Sequence, residues 1–164
     1  MRALQAAAVV LTALALVPGG AHFFEMPNKI GLPEQQYFSV QSIYWGWALF
    51  GIVIFAAIGA NFVVALLLWR RRKPFCLSLS AGLFLAGTLL VFFAWTYPAN
   101  QATANWTSVP ADWQALRVQW EASHAGNAVL TFIALCCAAA ASALHGPPAR
   151  LGAADAEQGE GPSQ

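Results

Sequence analysis

The stretch ANFVVALLLWRRRKPFCLSLSAGLF, residues 60–84, places four consecutive basic residues between two long apolar runs. The basic group is Arg70 to Lys73, and the run on each side of it contains no charged residue. Backbone groups in hydrocarbon must satisfy their hydrogen bonds internally, so apolar runs of about 20 residues cross a bilayer as helices. The stretch therefore predicts two transmembrane helices joined by a short basic turn.

Two further apolar segments extend this pattern to four spans. The chain has 164 residues, 59% hydrophobic and 9% charged, with a mean hydropathy of +0.56. Soluble domains carry about a quarter charged residues, so this composition indicates an integral membrane protein. The predicted spans are residues 3–20, 43–69, 75–95 and 122–144. Small residues within them allow helices to approach closely in lipid, and we predict an all-α, four-helix membrane bundle.

The basic residues predict the orientation of the chain, because positively charged loops stay in the cytoplasm. Six of them fall on one side of the predicted membrane: Arg2, Arg70, Arg71, Arg72, Lys73 and Arg150. Lys29 and Arg117 fall on the other side. We therefore expect both termini to be cytoplasmic and the protein to lie in the inner (plasma) membrane.

Both ends of the chain carry a distinct feature. The sequence GGA at 19–21 resembles the cleavage site of a secretory signal peptide, but we expect a retained helix because cleavage would leave three spans. Residues 146–164 are rich in Gly, Pro and Ala and lack aromatic side chains. We predict that they form a disordered cytoplasmic tail after a four-span domain of residues 1–145.

Two longer connections, residues 21–42 and 96–121, lie on the outer face in this orientation. Both are aromatic and amphipathic, and their prolines predict turns. The net charge of +1 provides no basic face for phosphate groups, which argues against a nucleic-acid partner. The expected partners are the lipid bilayer and a hydrophobic small molecule, and a homo-oligomer is left open.

A helix is predicted to begin near Pro110, in the second connection, and to continue into the fourth span. Polar and aromatic side chains recur along it at spacings of three and four, which places them on one face. They are Trp113, Arg117, Trp120, His124 and Asn127. Arg, His and Asn are unsuited to lipid contact, so this face is expected to meet protein or to line a pocket.

Two His/Glu pairs lie at the outer ends of the first and fourth spans. His22 and Glu25 form one pair, and Glu121 and His124 form the other. The members of each pair are three residues apart and share a helix face. If the two helices are neighbours, the pairs lie at a similar depth and can meet.

Three interpretations of such a meeting stay open. Glu-x-x-His on facing helices is a di-iron ligand pattern, although the second and third spans supply no further carboxylate. A histidine oriented by a carboxylate is also suited to acid–base catalysis. The structural alternative is a set of ion pairs that closes the outer end of the bundle. Its members would be Glu25, Lys29, Arg117 and Glu121.

A resemblance to a known family rests on the segment YPANQATANWTSVPADWQALRVQWEASHAGNAV, residues 97–129. Its matching features are a Pro98-x-Asn100 turn, Asn105, the DW pair at 112–113, and then Arg117, Trp120 and His124. With PNKIGLPEQQYFSVQSIYWGWALFG (27–51), it resembles a family of small four-helix membrane proteins that includes the anthrone oxygenases. The two segments make up about a third of the chain.

The resemblance implies cofactor-independent oxygenation of an anthrone to an anthraquinone. Such a reaction needs a base, a group that stabilises the phenolate, and a flat apolar pocket. The catalytic candidates are His124 as base, His22 as the alternative base, Glu121 or Glu25 to orient the base, and Arg117, together with Asn105, to stabilise the phenolate. The expected substrate contacts are Trp113, Trp120, Asn100, Asn105 and Asn127.

The alternative class is not an enzyme, and the sequence leaves the choice open. It is a membrane bundle that binds a lipid, a quinone or a partner protein at its outer mouth. A pocket beside His124 that is wide enough for three fused rings would favour catalysis. Filling of that space by Trp113 and Trp120 would favour the structural interpretation.

Overall fold

The computed structural model describes residues 1–144, and this part of the chain contains helices but no strand. The α-helices in this range are α1 (Arg2–Lys29), α2 (Glu34–Gln41), α3 (Phe50–Leu67), α4 (Arg72–Val91), α5 (Tyr97–Ala102) and α6 (Trp113–Ala143). Short 3-10 turns at Ser42–Tyr44 and Trp47–Leu49 precede α3, and a π-helical segment, Phe92–Thr96, joins α4 to α5. The predicted disordered tail lies outside the described residues.

Four helical stretches are long and apolar enough to cross a membrane, in agreement with the prediction. They are Arg2–Lys29, Trp47–Leu67, Arg72–Ala102 and Trp113–Ala143. Three of them extend beyond the predicted bounds at the end that carries the polar residues. The prediction ended each span at its first polar residues, whereas the helices continue because those side chains pack against protein. The helix predicted to begin near Pro110 begins at Trp113 and continues into the fourth span.

Much of the first predicted connection is helical, which corrects the assignment of residues 21–42 to a loop. Its first part belongs to the last turns of α1, and its second part forms α2. Two of the predicted proline turns are corrected as well, because Pro27 lies inside α1 and Pro98 lies in the first turn of α5, whereas Pro33 and Pro110 lie outside the helices. Proline is tolerated in a first helical turn, where its missing N–H would have no partner, and transmembrane helices tolerate it elsewhere.

The long helices pack side by side, and α6 contacts both α1 and α4, while α3 contacts the same two helices. Helices α1 and α6 are antiparallel, since Gly19 lies against Ala128 and His22 lies against His124. A Cβ atom on Gly19 would lie 3.3 Å from the Cα of Ala128. The glycine therefore allows the two backbones to approach closely enough to bring their polar ends together.

Asn61 forms a hydrogen bond between α3 and α1. Its Nδ2 donates to Thr12 Oγ1 of α1 at 3.0 Å and to the Ala57 carbonyl of its own helix at 2.9 Å. Asn61 and Thr12 are both buried, and an amide without partners there would be costly. The bond therefore fixes α3 against α1 at this depth.

The π-helical segment precedes Pro98, which has no N–H group to donate to the preceding turn. Local widening of a helix is one response to such a residue. Gln119 Nε2 of α6 donates to the Trp95 carbonyl at 2.8 Å, and the hydroxyls of Thr96 and Ser123 lie 2.7 Å apart. The irregular segment is thus bonded to α6 beside the His/Glu pair of that helix.

Three consecutive residues after α5 adopt the left-handed backbone conformation. Their φ angles are 48° at Ala104, 56° at Asn105 and 63° at Trp106. Residues other than glycine rarely do this, because Cβ crowds the following carbonyl. The Asn105 N–H donates to the Asn100 carbonyl at 2.7 Å, and the Trp106 N–H donates to Thr103 Oγ1 at 3.1 Å. The turn directs the Trp106 ring into the protein, where it is 7% exposed.

Candidate functional site

The two His/Glu pairs meet, so the assumption that α1 and α6 are neighbours is confirmed. The ring centroids of His22 and His124 are 4.2 Å apart, with an angle of 38° between the ring planes. His22 is buried and His124 is half-buried. The close approach at Gly19 brings α1 and α6 together. Each helix carries its histidine on the face that lies against the other helix.

Glu25 connects the histidine pair to the protein surface. Its Oε1 lies 3.3 Å from His22 Nδ1, an ion-pair distance without hydrogen-bond geometry, and its Oε2 accepts a bond of 2.5 Å from the Tyr44 hydroxyl. The Glu25 side chain is 29% exposed, whereas His22 is enclosed. Among residues 1–144, His124 has no hydrogen-bond partner and is available as a base.

Lys29 and Glu121 form a buried ion pair, which confirms one contact of the structural interpretation. Lys29 Nζ lies 3.1 Å from Glu121 Oε1, and the two residues are 3% and 1% exposed. The same ammonium donates to the Tyr44 hydroxyl at 2.7 Å, and Glu121 Oε1 also accepts a bond of 2.8 Å from the Tyr37 hydroxyl. A buried charge requires such pairing, because isolated ions are strongly disfavoured away from water.

These contacts form one continuous set of bonds, which we call the Lys29 network. Its members are Glu25, Lys29, Tyr37, Gln41, Tyr44 and Glu121. Burial, together with the neighbouring Glu121 carboxylate, raises the pKa of the Tyr37 phenol far above its usual value. Burial and the bond to Glu25 raise the pKa of Tyr44 in the same direction. Both phenols are therefore neutral and act as hydrogen-bond donors to carboxylates.

Arg117 does not join the predicted ion pairs. Its Nη1 donates to the Leu32 carbonyl at 2.8 Å, and its guanidinium carbon lies 4.7 Å from the Trp113 ring and 5.3 Å from the Tyr37 ring. Planar guanidinium groups stack favourably on aromatic faces. Arg117 therefore fixes the segment before α2 to α6 and lies apart from the histidine pair.

Tryptophan rings fill the space beside the histidines. The Trp120 ring lies 4.2 Å from His124 and 4.9 Å from His22, measured between centroids. Trp113 and Trp120 are 7% and 4% exposed and belong to one aromatic cluster. The flat pocket expected beside His124 is thus occupied by protein side chains in this structure.

The predicted asparagines lie in three different surroundings. Asn100 Oδ1 accepts bonds from two indole N–H groups, those of Trp120 at 2.8 Å and Trp106 at 3.2 Å. Asn105 is exposed in the left-handed turn. Asn127 follows His124 by one helical turn, and its Oδ1 is buried without a partner. Asn127 thus lies one helical turn from His124 on α6, and Asn105 lies at the surface.

Four members of the Lys29 network were not among the predicted catalytic or substrate-binding residues: Lys29, Tyr37, Gln41 and Tyr44. Lys29 was predicted only as a member of structural ion pairs. The spacing of Tyr37 and Gln41 is the available sequence signal, because residues four apart share a helix face. That signal was missed because the segment was assigned to a loop.

Two grooves on the surface of the described residues lie away from the histidines. One of about 560 Å³ lies between the π-helical segment and α6, beside Trp95, Gln119 and Ser123. The other, of about 510 Å³, lies between the apolar faces of α1 and α6, beside Phe24 and Phe132. Within residues 1–144, no group of three or more His, Cys, Asp or Glu side chains is arranged to hold a metal ion.

No model of a known protein family matches the chain, and neither does any curated protein or solved structure. The resemblance to the anthrone oxygenases therefore rests on the residues of segments 27–51 and 97–129 alone.

Proposed function

We propose that this chain is a multi-pass inner-membrane protein, built as a four-helix bundle with both termini cytoplasmic and two longer connections on the outer face. We further propose that it belongs with the anthrone oxygenases and acts as a cofactor-independent oxygenase of a hydrophobic polycyclic phenol. The observation that carries this proposal is the meeting of His22 and His124 at one end of α1 and α6, with the Glu25 carboxylate 3.3 Å from His22 Nδ1.

The proposed reaction converts an anthrone and molecular oxygen to an anthraquinone and water. A base removes a proton from the CH₂ group of the central ring, which leaves a delocalised phenolate. This electron-rich anion can transfer one electron to triplet oxygen, which closed-shell molecules rarely do. The protein then needs to supply a base, a cation and a site from which water is excluded.

The site offers a group for each of these tasks. His124 has no competing hydrogen bond among the described residues and serves as the base, with His22 as its neighbour. Glu25 orients His22, and because the Glu25 side chain is partly exposed it connects His22 to the protein surface. Lys29, whose ammonium is held by Glu121 and Tyr44, replaces Arg117 and Asn105 as the group that stabilises the phenolate.

The test is aerobic incubation of metal-stripped protein with anthrone, followed by the absorbance of anthraquinone. His124→Ala is expected to lower the rate by a factor of about 100 or more, since general bases contribute at least that much. His145→Ala is the matched control, because it removes a histidine outside the described residues and is expected to retain the full rate. Equal rates in the two variants, with the helical fold intact, would remove His124 from the mechanism.

A second function is favoured by the burial of Trp113 and Trp120, which leaves little room for three fused rings beside His124. In this case the protein is not an enzyme and binds a lipid, a quinone or a partner protein at its outer mouth. Binding of anthrone without any conversion, in wild-type protein and in air, would favour this function over the oxygenase.

A further inference from the structure

Glu121 presents one carboxylate oxygen that has no partner. Its Oε1 accepts bonds from both Tyr37 and Lys29, whereas its Oε2 is buried and accepts none. An ionised carboxylate can accept about four hydrogen bonds, and a buried acceptor left unpaired is costly. Because buried polar atoms nearly always have partners, the bare oxygen indicates a place for a donor.

Gln41 presents a second acceptor beside the same hydroxyl group. The single proton of the Tyr37 hydroxyl goes to Glu121, so Gln41 has to present its NH₂ group to the Tyr37 oxygen, at 2.8 Å. Its carbonyl Oε1 is consequently turned away, buried and without a partner, in a residue that is 6% exposed. The Tyr37 hydroxyl is therefore bonded to two groups, Glu121 of α6 and Gln41 of α2. Each of these groups has one acceptor oxygen without a partner.

We propose that Glu121 Oε2 and Gln41 Oε1 are acceptors for the hydroxyl groups of a lipophilic ligand, one hydroxyl for each oxygen, at the contact between α2 and α6. The inference rests on the proposed function for the nature of this ligand, a polycyclic phenol. Each ring hydroxyl donates its single proton to one of these oxygens, whereas a methoxy group in the same position has no proton to donate. The site therefore selects rings that carry a free hydroxyl.

Helix α2 covers this acceptor site and has to move when a ligand enters. It contacts the rest of the protein through aromatic side chains, with the Phe38 ring 5.6 Å from Trp106 and 5.8 Å from Trp113. Glycines lie beyond both of its ends, at Gly31 and at Gly46, whose φ of 85° is left-handed. A ligand with two hydroxyls, one bonded to the α2 acceptor and one to the α6 acceptor, would hold α2 in the closed position.

The experiment measures the binding of three probes to the full chain in detergent micelles by quenching of tryptophan fluorescence. The probes are 2-hydroxyanthraquinone, 2-methoxyanthraquinone and unsubstituted anthraquinone, which resemble the proposed product and do not turn over. Wild-type protein is expected to bind the hydroxylated probe about tenfold more tightly than the methoxylated one, the effect of roughly one hydrogen bond to a buried acceptor. Gln41→Leu removes one of the two acceptors and is expected to lower this preference, while it keeps its affinity for the methoxylated probe.

Gln36→Leu is the matched control, because it makes the same change at an exposed position of α2 and is expected to keep the preference. Equal affinity for the hydroxylated and methoxylated probes in wild-type protein would overturn the acceptor site, as would binding of none of the three. Anthrone turnover is measured separately, so a hydroxyl preference without turnover would overturn the oxygenase and support the acceptor site in a binding protein. Turnover without the hydroxyl preference would overturn the acceptor site and support the oxygenase.

Discussion

Lys29 is a buried charge that is held by both polar and aromatic contacts. Besides its bonds to Glu121 and Tyr44, its ammonium lies 4.4 Å from the Tyr44 ring centroid and 4.8 Å from that of Trp120. A buried ion pair adds little net stability, but removal of one member leaves the other charge buried and unpaired. The sequence identified Lys29 only as one of four charges at this end, because its burial depends on α2 folding over it.

Lys29→Met is therefore expected to destabilise the protein by about 3–5 kcal/mol, the usual effect of breaking a buried pair. The double variant Lys29→Met, Glu121→Leu removes both charges and is expected to recover most of this loss. Unfolding in mixed detergent micelles, followed by circular dichroism, measures the difference. A double variant as unstable as the single one would show that the pair does not govern the stability of this region.

Asn100 is predicted to be a structural residue as well as a member of the family motif. Asn100→Ala leaves the indole N–H groups of Trp106 and Trp120 without their acceptor and is expected to cost about 2 kcal/mol or more. Asn100→Asp keeps an acceptor oxygen and is expected to be less harmful. Near-ultraviolet circular dichroism of the tryptophans, recorded during thermal unfolding, tests both. Equal stability of the two variants would contradict the role of the acceptor oxygen.

Among the elements, the left-handed turn from Ala104 to Trp106 carries the clearest backbone strain. Ala104→Gly is expected to stabilise the protein by up to about 1 kcal/mol, because glycine adopts a φ of 48° without a Cβ clash. The control is Ala115→Gly, an exposed position inside α6, where the same change is expected to cost about 1 kcal/mol. Opposite shifts of the unfolding midpoint would support the strain, and a destabilised Ala104→Gly variant would contradict it.

The helices could be predicted better in their apolar parts than at their ends. Hydropathy located all four long helices, because a long apolar run without charges has few possible structures other than a membrane-spanning helix. The same criterion failed at Pro27, which lies inside α1, and at Pro98, which lies in the first turn of α5. It also failed for α2, whose short amphipathic turn resembles a loop in composition and is held by contacts to distant residues.

At the scale of the whole molecule, the antiparallel contact of α1 with α6 unites the two ends of the described chain. The sequence contains the two His/Glu pairs and predicts that they can meet if α1 and α6 are neighbours. In the structure these two helices are neighbours. The Lys29 network could not be predicted, because its bonds join residues as far apart as Tyr37 and Glu121. Composition contains no information on such distant pairings, which depend on how four similar helices pack.

The proposed orientation places α2 and the histidine pair outside the cytoplasm and the basic turn at Arg70 to Lys73 inside it. In a background with its three cysteines replaced by serine, Gln35→Cys on α2 and Arg72→Cys in the turn give two exposed probes. A membrane-impermeant maleimide is expected to label Gln35→Cys in intact spheroplasts and Arg72→Cys only after permeabilisation, since the basic turn resists translocation. The reverse labelling pattern would show that the protein has the opposite orientation in the membrane. The substrate would then have to reach α2 from the cytoplasm, and Glu25 would exchange protons with the cytoplasm.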